Sequence, residues 1–264
     1  LGIGRQDKEN PITNRSVMVE TLHTIHLSVV IPAYNEAERI GDTLKKIYEY
    51  FLTRDYRYEI IVVDDGSTDD TRRVVKKIAR EIPFVRLLEN GVNRGKGYSV
   101  KAGVVNSHGE IILFSDADLS TPIQEVDKLA DWLGMGCDIA IGSRALPGSE
   151  ILVRQPRPRE FMGKVFNRLV QLLTISGIRD TQCGFKVFKK EAARVLFEKQ
   201  TVWGFGFDVE ILFIASKSGY RIKEIPIKWV NSPDSQVNIM KDSFTMLCDL
   251  VRIRIQYLTG KYRL

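Results

Sequence analysis

From residue 27 onward, short apolar runs rich in β-branched residues alternate with stretches of helical spacing. Leu27 to Pro32 and Glu59 to Asp64 are continuous apolar runs rather than in-and-out alternations, which predicts parallel strands buried on both faces. Between them, apolar residues at 40, 44, 47 and 51 share one face of a helix over Ala37 to Leu52, completing a βαβ unit. Ser67-Thr-Asp-Asp-Thr71 supplies N-caps for a helix running through Ala79. Strands follow at Val85–Leu88, Glu110–Ser115 and Asp138–Gly142, and helices at Gly97–Asn106 and Ile123–Leu133. Strands alternating with helices predict an α/β fold whose mostly parallel sheet is covered on both faces.

After Arg144 the pattern changes. A Pro-rich basic loop, Leu146 to Pro158, leads into an amphipathic segment from Phe161 to Ile178, then a Gly- and aromatic-rich stretch through Cys183-Gly-Phe185 and Trp203-Gly-Phe-Gly-Phe207. A helix over Asp208–Ser216, a strand over Ile222–Val230 and a last amphipathic helix from Lys241 to Leu258 complete the chain. Residues 1–24 are polar and aperiodic and read as an N-terminal tail. No repeat or low-complexity linker interrupts the rest, so 25–264 reads as one domain, its second half (144–264) built onto its first (25–143).

Composition narrows the class. With 44% hydrophobic and 27% charged residues over 264 positions, the chain is neither disordered nor too small to bury a core. Cys137, Cys183 and Cys248 are widely spaced without a CxxC pair, which argues against structural zinc and for a reducing compartment. The longest uncharged stretch, Thr21 to Asn35, contains two His, a Pro and an Asn and falls short of the roughly 20 apolar residues a spanning helix needs. No signal peptide is evident, and a cytoplasmic location is expected.

The net charge of +6 is local. Residues 144–168 hold six basic side chains against two acidic, and residues 241–264 five against two, so the remainder is near neutral. Such runs are either solvated faces or contact surfaces for anions.

In open parallel sheets ligands bind beyond the C-terminal strand ends, and this chain repeatedly places polar residues there. The first strand ends in Pro32-Ala-Tyr-Asn-Glu36, the second in Asp64-Asp65-Gly66-Ser67, and the Glu110–Ser115 strand in Asp116-Ala117-Asp118. So many carboxylates on one edge repel unless a cation or a donor-rich ligand joins them. Asp116 and Asp118, two apart in an extended segment, can reach one hard divalent cation and leave it sites for phosphate oxygens; paired Asp also cap turns. Gly91-Val-Asn-Arg-Gly95-Lys96-Gly97 fails as a P-loop, having three residues between its first glycines and Gly97 where Ser or Thr is required, but it leaves Arg94 and Lys96 able to approach a phosphate. GxGxxG after the first strand is missing, and His23, His26 and His108 lie outside the carboxylate cluster, so dinucleotide oxidoreduction and His-based triads are disfavoured.

Together, Val29-Val-Ile-Pro-Ala-Tyr-Asn-Glu36, Val62-Val-Asp-Asp-Gly-Ser67, Asn93-Arg-Gly-Lys-Gly97, Ser115-Asp-Ala-Asp118, Ile141-Gly-Ser-Arg144 and Thr181-Gln-Cys-Gly-Phe-Lys186 resemble the family-two inverting glycosyltransferases of GT-A fold, over about residues 27–262. Asp116-Ala-Asp-Leu-Ser-Thr-Pro122, Gln182-Cys-Gly-Phe-Lys186, Phe207-Asp-Val-Glu210 and Tyr257-Leu-Thr-Gly260 are shared with the dolichyl-phosphate β-glucosyltransferase branch, a relative of the dolichol-phosphate mannose synthases. The chain departs from that branch at Ser235-Gln236-Val237, where a Lys is common, and carries Phe207-Asp208 where many hydroxyl-acceptor relatives have Glu-Asp.

The resemblance implies a Rossmann-like sheet with amphipathic helices in the C-terminal part, residues 25–143 binding the nucleotide sugar and 144–264 the acceptor and membrane. Pro32, Ala33, Tyr34, Asn35 and Glu36 would border the nucleotide, Asp64 and Asp65 would hold the base edge, and Lys96 would approach the phosphates. Asp116, Ala117 and Asp118 would meet the ribose and diphosphate, with Asp116 and Asp118 binding Mg²⁺ or Mn²⁺. Arg144 and Lys186 would receive an acceptor phosphate, and Asp180 and Asp208 would serve as base or orienter. The implied partners are a nucleotide sugar, with UDP-glucose favoured, a polyprenyl or dolichyl phosphate, and an anionic membrane surface contacted peripherally at its cytoplasmic face. A hydroxyl acceptor on a glycan or small molecule is the alternative, and a non-catalytic sugar-nucleotide sensor a further one. The basic segments lack interleaved stacking aromatics and match no nucleic-acid module, so no nucleic-acid partner is expected.

Overall fold

The computed structural model describes residues 25–153, 157–231 and 239–263. The tail at 1–24, Arg154 and the Ser235-Gln236-Val237 departure lie outside the described residues. β1 (Leu27–Ala33), β2 (Tyr58–Asp64), β3 (Val85–Glu89) and β4 (Ile111–Ser115) lie side by side and parallel, with Leu27 level with Tyr58 and Ala33 with Asp64. Every residue of β2 is buried, as a strand covered on both faces requires. α1 (Ile40–Phe51), α2 (Thr71–Glu81) and α3 (Lys96–Val105) connect them, followed by α4 (Glu125–Gly134) and β5 (Ile139–Ser143).

Alternate β-strand side chains feed two cores. Val29, Ile31, Ile60 and Val62 face α1, α2 and α4, and meet Leu44, Ile47, Val75, Ile78 and Leu129. Val30, Ile112 and Phe114 face the other way, toward α3 and the C-terminal helices.

The second half departs from simple alternation. β6 (Glu150–Val153) and the start of α5 (Arg157–Leu173) occupy the expected Pro-rich loop, and α5 ends before Thr174 rather than continuing to Ile178. β7 (Phe185–Lys189) and α6 (Lys190–Lys199) arise from a stretch whose composition announced neither. β7 inserts between β4 and β5 and runs antiparallel to both, giving the order β3-β2-β1-β4-β7-β5-β8. After α7 (Phe207–Lys217), the single strand expected over 222–230 is two strands. β8 (Ile222–Pro226) pairs with β5, whereas β9 (Lys228–Val230) pairs with β6 in a separate two-stranded sheet. Pro226 ends the first because it has no N–H to continue a ladder. α8 (Ile239–Leu258) packs against α5 and α7.

α3 lies close on the sheet because Gly103 has no side chain. A Cβ there would fall 2.3 Å from Val30 Cγ1 and 3.1 Å from Val63 Cγ2. Gly103→Ala is expected to lower unfolding free energy by about 1–3 kcal/mol through overpacking. Gly134→Ala, where a Cβ meets nothing within 4 Å, serves as the control in the same urea titration. Equal stability of the two variants would contradict this packing account.

Candidate active site

The C-terminal ends of β1, β2 and β4 form one edge, as the sequence predicts, but the structure divides the labour among their polar residues. Asn35 is left-handed at φ 54°, a conformation Asn tolerates better than most residues. Its N–H donates to Ser67 Oγ at 3.0 Å and its Oδ1 accepts from Thr68 N–H at 2.8 Å, while Glu36 N–H donates to Thr71 Oγ1 at 2.7 Å. The β1 and β2 loops are thereby laced together, with Pro32 and Tyr34 half-buried beside them and Ala33 buried.

Asp64 and Asp65 differ. Both Asp65 oxygens are engaged within the protein: Oδ1 accepts from Asn90 Nδ2 at 2.8 Å and Arg94 N–H at 3.0 Å, and Oδ2 from Gly95 N–H at 2.8 Å. Asp65 therefore anchors the Gly91–Gly97 loop, with acceptor capacity left on Oδ2. Asp64 Oδ2 accepts from Gly66 and Ser67 N–H, both at 3.2 Å, whereas its buried Oδ1 has no partner. A buried acceptor without a donor is costly, and a base N–H would satisfy it.

Lys96 begins α3, and its Nζ lies 2.6 Å from Asp116 Oδ1. Burial works against the ammonium charge, but Asp116, Asp208 and Asp118 outweigh it and raise the pKa above the usual lysine value. Asp116 is placed by β4 and by Gly184, whose carbonyl accepts the Asp116 N–H at 3.1 Å. Ala117 is fixed through its carbonyl, which accepts from Thr43 Oγ1 at 2.7 Å. Asp118 Oδ1 accepts from Ser120 N–H at 2.9 Å, a local turn bond. Burial raises the pKa of Glu36, Arg39 lowers it, and the neighbouring charges of Asp118 and Asp116 raise it again, leaving it above the ordinary value. Glu36, Asp116 and Asp118 thus share one negative edge. Among the described residues no three His, Cys, Asp or Glu side chains form a metal cage. Two hard carboxylates without a third fit a divalent cation that completes its shell from phosphate oxygens and water.

Behind this edge lie two further ion pairs. Arg144 Nε and Nη2 reach Asp180 Oδ2 and Oδ1 at 2.7 and 2.8 Å, and its own N–H donates to Oδ2 at 2.9 Å. Glu224 on β8 fixes the Asp180 backbone, accepting from Arg179 and Asp180 N–H, both at 2.8 Å. Burial tends to raise the Asp180 pKa, but Arg144 and Lys186 more than reverse this and hold it below the usual carboxylate value. The pair therefore contributes stability above the unfolded carboxylate pKa and loses it as pH falls through the lower folded value. Lys186, expected to receive a phosphate, is only 1% exposed. Its ammonium donates to Asp208 Oδ1 and, at 2.5 Å, to the Cys183 carbonyl, so it is an internal counter-charge. Burial raises the Asp208 pKa, with Lys186 and Lys96 pulling it back in part. Of the two candidate bases, Asp180 is the one held by Arg144 with its pKa below the ordinary carboxylate value, and Asp208 the one whose pKa lies above it.

Sequence reasoning overlooked the residues that place these groups: Gly184, Glu224 and Asn90. Gly184 had a signal in its position within Cys183-Gly-Phe185, where the backbone must pass a carboxylate. All the predicted site residues nonetheless gather at this sheet edge or in the ion pairs behind it.

The sheet order and the acidic edge locate the site, and comparisons with known proteins give its class. Residues 28–197 match the Glycosyl transferase family 2 model. The chain belongs to that family and is a glycosyltransferase of GT-A fold. It is 40% identical over 247 residues to a dolichyl-phosphate beta-glucosyltransferase of Trichomonas vaginalis, covering 89% of this chain and 73% of that one. It is 39% identical over 258 residues to the dolichyl-phosphate beta-glucosyltransferase of Saccharomyces cerevisiae, covering 90% and 77%. Among solved structures, glucosyl-3-phosphoglycerate synthase from Mycobacterium tuberculosis in complex with Mn²⁺, UDP and glucosyl-3-phosphoglycerate has a TM-score of 0.63 at 19% identity, covering 97% of this chain and 86% of that one.

A Cβ on Gly184 would stand 1.9 Å from Asp116 Oδ2. Gly184→Ala is expected to displace that carboxylate and lower the transfer rate about 100-fold, the scale of an ångström-level misplacement. Initial rates measured beside thermal melts check this; an unchanged rate would show that Asp116 need not sit where it does.

Proposed function

We propose that this chain transfers glucose from UDP-glucose, with inversion, to the phosphate of a polyprenyl or dolichyl phosphate at a membrane surface. The observation that carries the reading is the placement of Arg144, partly open and paired with Asp180, behind the acidic Glu36–Asp116–Asp118 edge. Such a site suits two phosphorylated substrates at once. The relatives named for dolichyl phosphate and glucose supply the substrate class.

In this reading Asp64 Oδ1 accepts from the uracil N–H, and Asn35 and Glu36 border the nucleotide through the laced loops. Lys96 faces the diphosphate from the first turn of α3, whose N-terminus also favours anions. Asp116 and Asp118 hold Mg²⁺ or Mn²⁺, which when bound acts as a Lewis acid toward the leaving diphosphate. Arg144, held flat by two bonds to Asp180, orients the acceptor phosphate. An oxygen of that phosphate attacks C1 of the glucosyl group as the bond from C1 to the UDP oxygen breaks, and UDP departs. A phosphate monoester is already largely ionised near neutral pH, so no strong base is required. Asp208, buried with Lys186, serves as the orienter of that ammonium behind the acceptor site.

The membrane reading is supported by exposed apolar side chains on the two packed helices α5 and α8. Phe161, Val165 and Leu172 project from α5, and Phe244, Val251, Ile255 and Leu258 from α8, with Arg168, Arg252 and Arg254 exposed among them. Apolar and cationic side chains mixed in this way suit the headgroup boundary of an anionic leaflet. No helix among the described residues is long and apolar enough to cross a membrane.

Incubation with labelled UDP-glucose, GDP-mannose or UDP-GlcNAc, a divalent cation and vesicles containing polyprenyl phosphate tests the reading. Label from UDP-glucose should enter the lipid phase, and Asp118→Ala should reduce this at least 100-fold without altering the melting temperature. Label appearing in a soluble hydroxyl acceptor instead of lipid would overturn it.

A further inference from the structure

Two groups far apart in sequence, Glu210 and Tyr262, take no part in the chemistry above. Glu210 lies on α7 with 0% exposure, a carboxylate buried without a basic side chain in hydrogen-bond contact among the described residues. Four donors converge on it: Thr201 N–H at 3.0 Å, Val202 N–H at 2.8 Å, the Thr201 hydroxyl at 2.6 Å and the Tyr262 hydroxyl at 2.6 Å. Gln256 on α8 lies 2.7 Å from the same Thr201 hydroxyl. The loop between α6 and α7 is therefore tied from below to the final helix and to the residues that follow it.

That loop in turn grips the first turn of α3. Gln200 Nε2 donates to the carbonyls of Gly97 at 2.9 Å and Val202 at 2.8 Å, and Tyr98 N–H donates to the Trp203 carbonyl at 3.2 Å. There is no slack between the two segments. A Cβ on Gly97 would meet Val202 O at 2.7 Å, and one on Gly95 would meet Trp203 O at 2.5 Å. On the opposite side Asp65 holds the Gly95 N–H. Lys96 sits between these two grips.

We propose that Glu210 and Tyr262 are positioning residues that hold the 200–203 loop against α3 and so fix the Lys96 ammonium opposite Asp116, making the segment that follows α8 part of the donor site. The proposal rests on the reading of Lys96 and Asp116 as the diphosphate-binding pair. A hydroxyl missing from Tyr262 leaves a buried carboxylate under-satisfied, and the loop it organises is the piece free to shift.

Tyr262→Phe removes that hydroxyl and keeps the ring beside Phe213, 6.5 Å between centroids. Hydrogen exchange should accelerate at least tenfold in residues 95–99 and 200–206 and remain unchanged in β1 and β2. Transfer of labelled glucose from UDP-glucose should fall about tenfold in kcat with the KM for the lipid acceptor unchanged. In a Lys96→Met background Tyr262→Phe should add no further loss, because the residue it positions is gone. Glu210→Gln repeats the comparison from the other partner. Exchange that rises throughout the sheet, exchange unchanged at 95–99, or a full multiplicative loss in the Lys96→Met background would each overturn the proposal. The exchange measurement needs no substrate, so its outcome does not depend on which donor or acceptor the enzyme uses.

Discussion

An ammonium group taken out of water must find full compensation inside the protein, and Lys186 imposes that demand at the centre of this fold. It sits on β7 level with Phe114 of β4 and Ile141 of β5, and its side chain, which projects off the face of the sheet, is 1% exposed against Asp208 of α7. Its partners, Asp208 and the Cys183 carbonyl, must therefore come to it. This requirement fixes the N-terminal turn of α7 against the sheet and the chain reversal at Cys183-Gly184 that starts β7. Removing one member of such a buried pair costs about 3–5 kcal/mol, since the remaining charge is left uncompensated. The same reversal brings the Gly184 carbonyl to the Asp116 N–H, so the internal pair and the acidic edge are set by one piece of backbone.

Three ion pairs follow one another from core to surface, and their environments differ in a useful order. Lys186–Asp208 is almost wholly buried, Arg144–Asp180 is partly open on the arginine side, and Lys96–Asp116 is the most accessible. Charges that are preorganised and poorly solvated act strongly on phosphates without reorganising during reaction. On the proposed reading the outermost pair is the one that a diphosphate and a cation would separate, with Lys96 then facing phosphate and Asp116 the metal.

The first half of this architecture was legible in the residues. Buried parallel strands write themselves as unbroken apolar runs, and βαβ spacing places Glu36, Asp64 and Asp116 at strand ends from the sequence alone. The Leu27 and Glu59 runs became β1 and β2 within a residue of their expected limits. The second half was not legible in the same way. β7 breaks the alternation because Lys186 interrupts its apolar pattern and its antiparallel placement depends on strands distant in sequence. The strand over 222–230 split at Pro226, whose missing N–H is a local signal, but which sheet each half joins is a tertiary fact with no local period. The polar residues chosen from the sequence converge at the site, and Asp65 and Lys186 also have internal partners that the sequence did not announce. How far a carboxylate is engaged depends on which donors the loops bring to it, and the Asn90 side-chain amide and the Arg94 and Gly95 N–H groups reach Asp65 only through the fold.

The central claim is that the Asp116–Asp118 edge and Lys96 together bind the donor's diphosphate through a divalent cation. Calorimetric titration of the protein with UDP, once with Mn²⁺ present and once after chelation, tests this most directly. The account predicts that chelation weakens UDP binding at least tenfold. Equal affinity with and without the metal would contradict it.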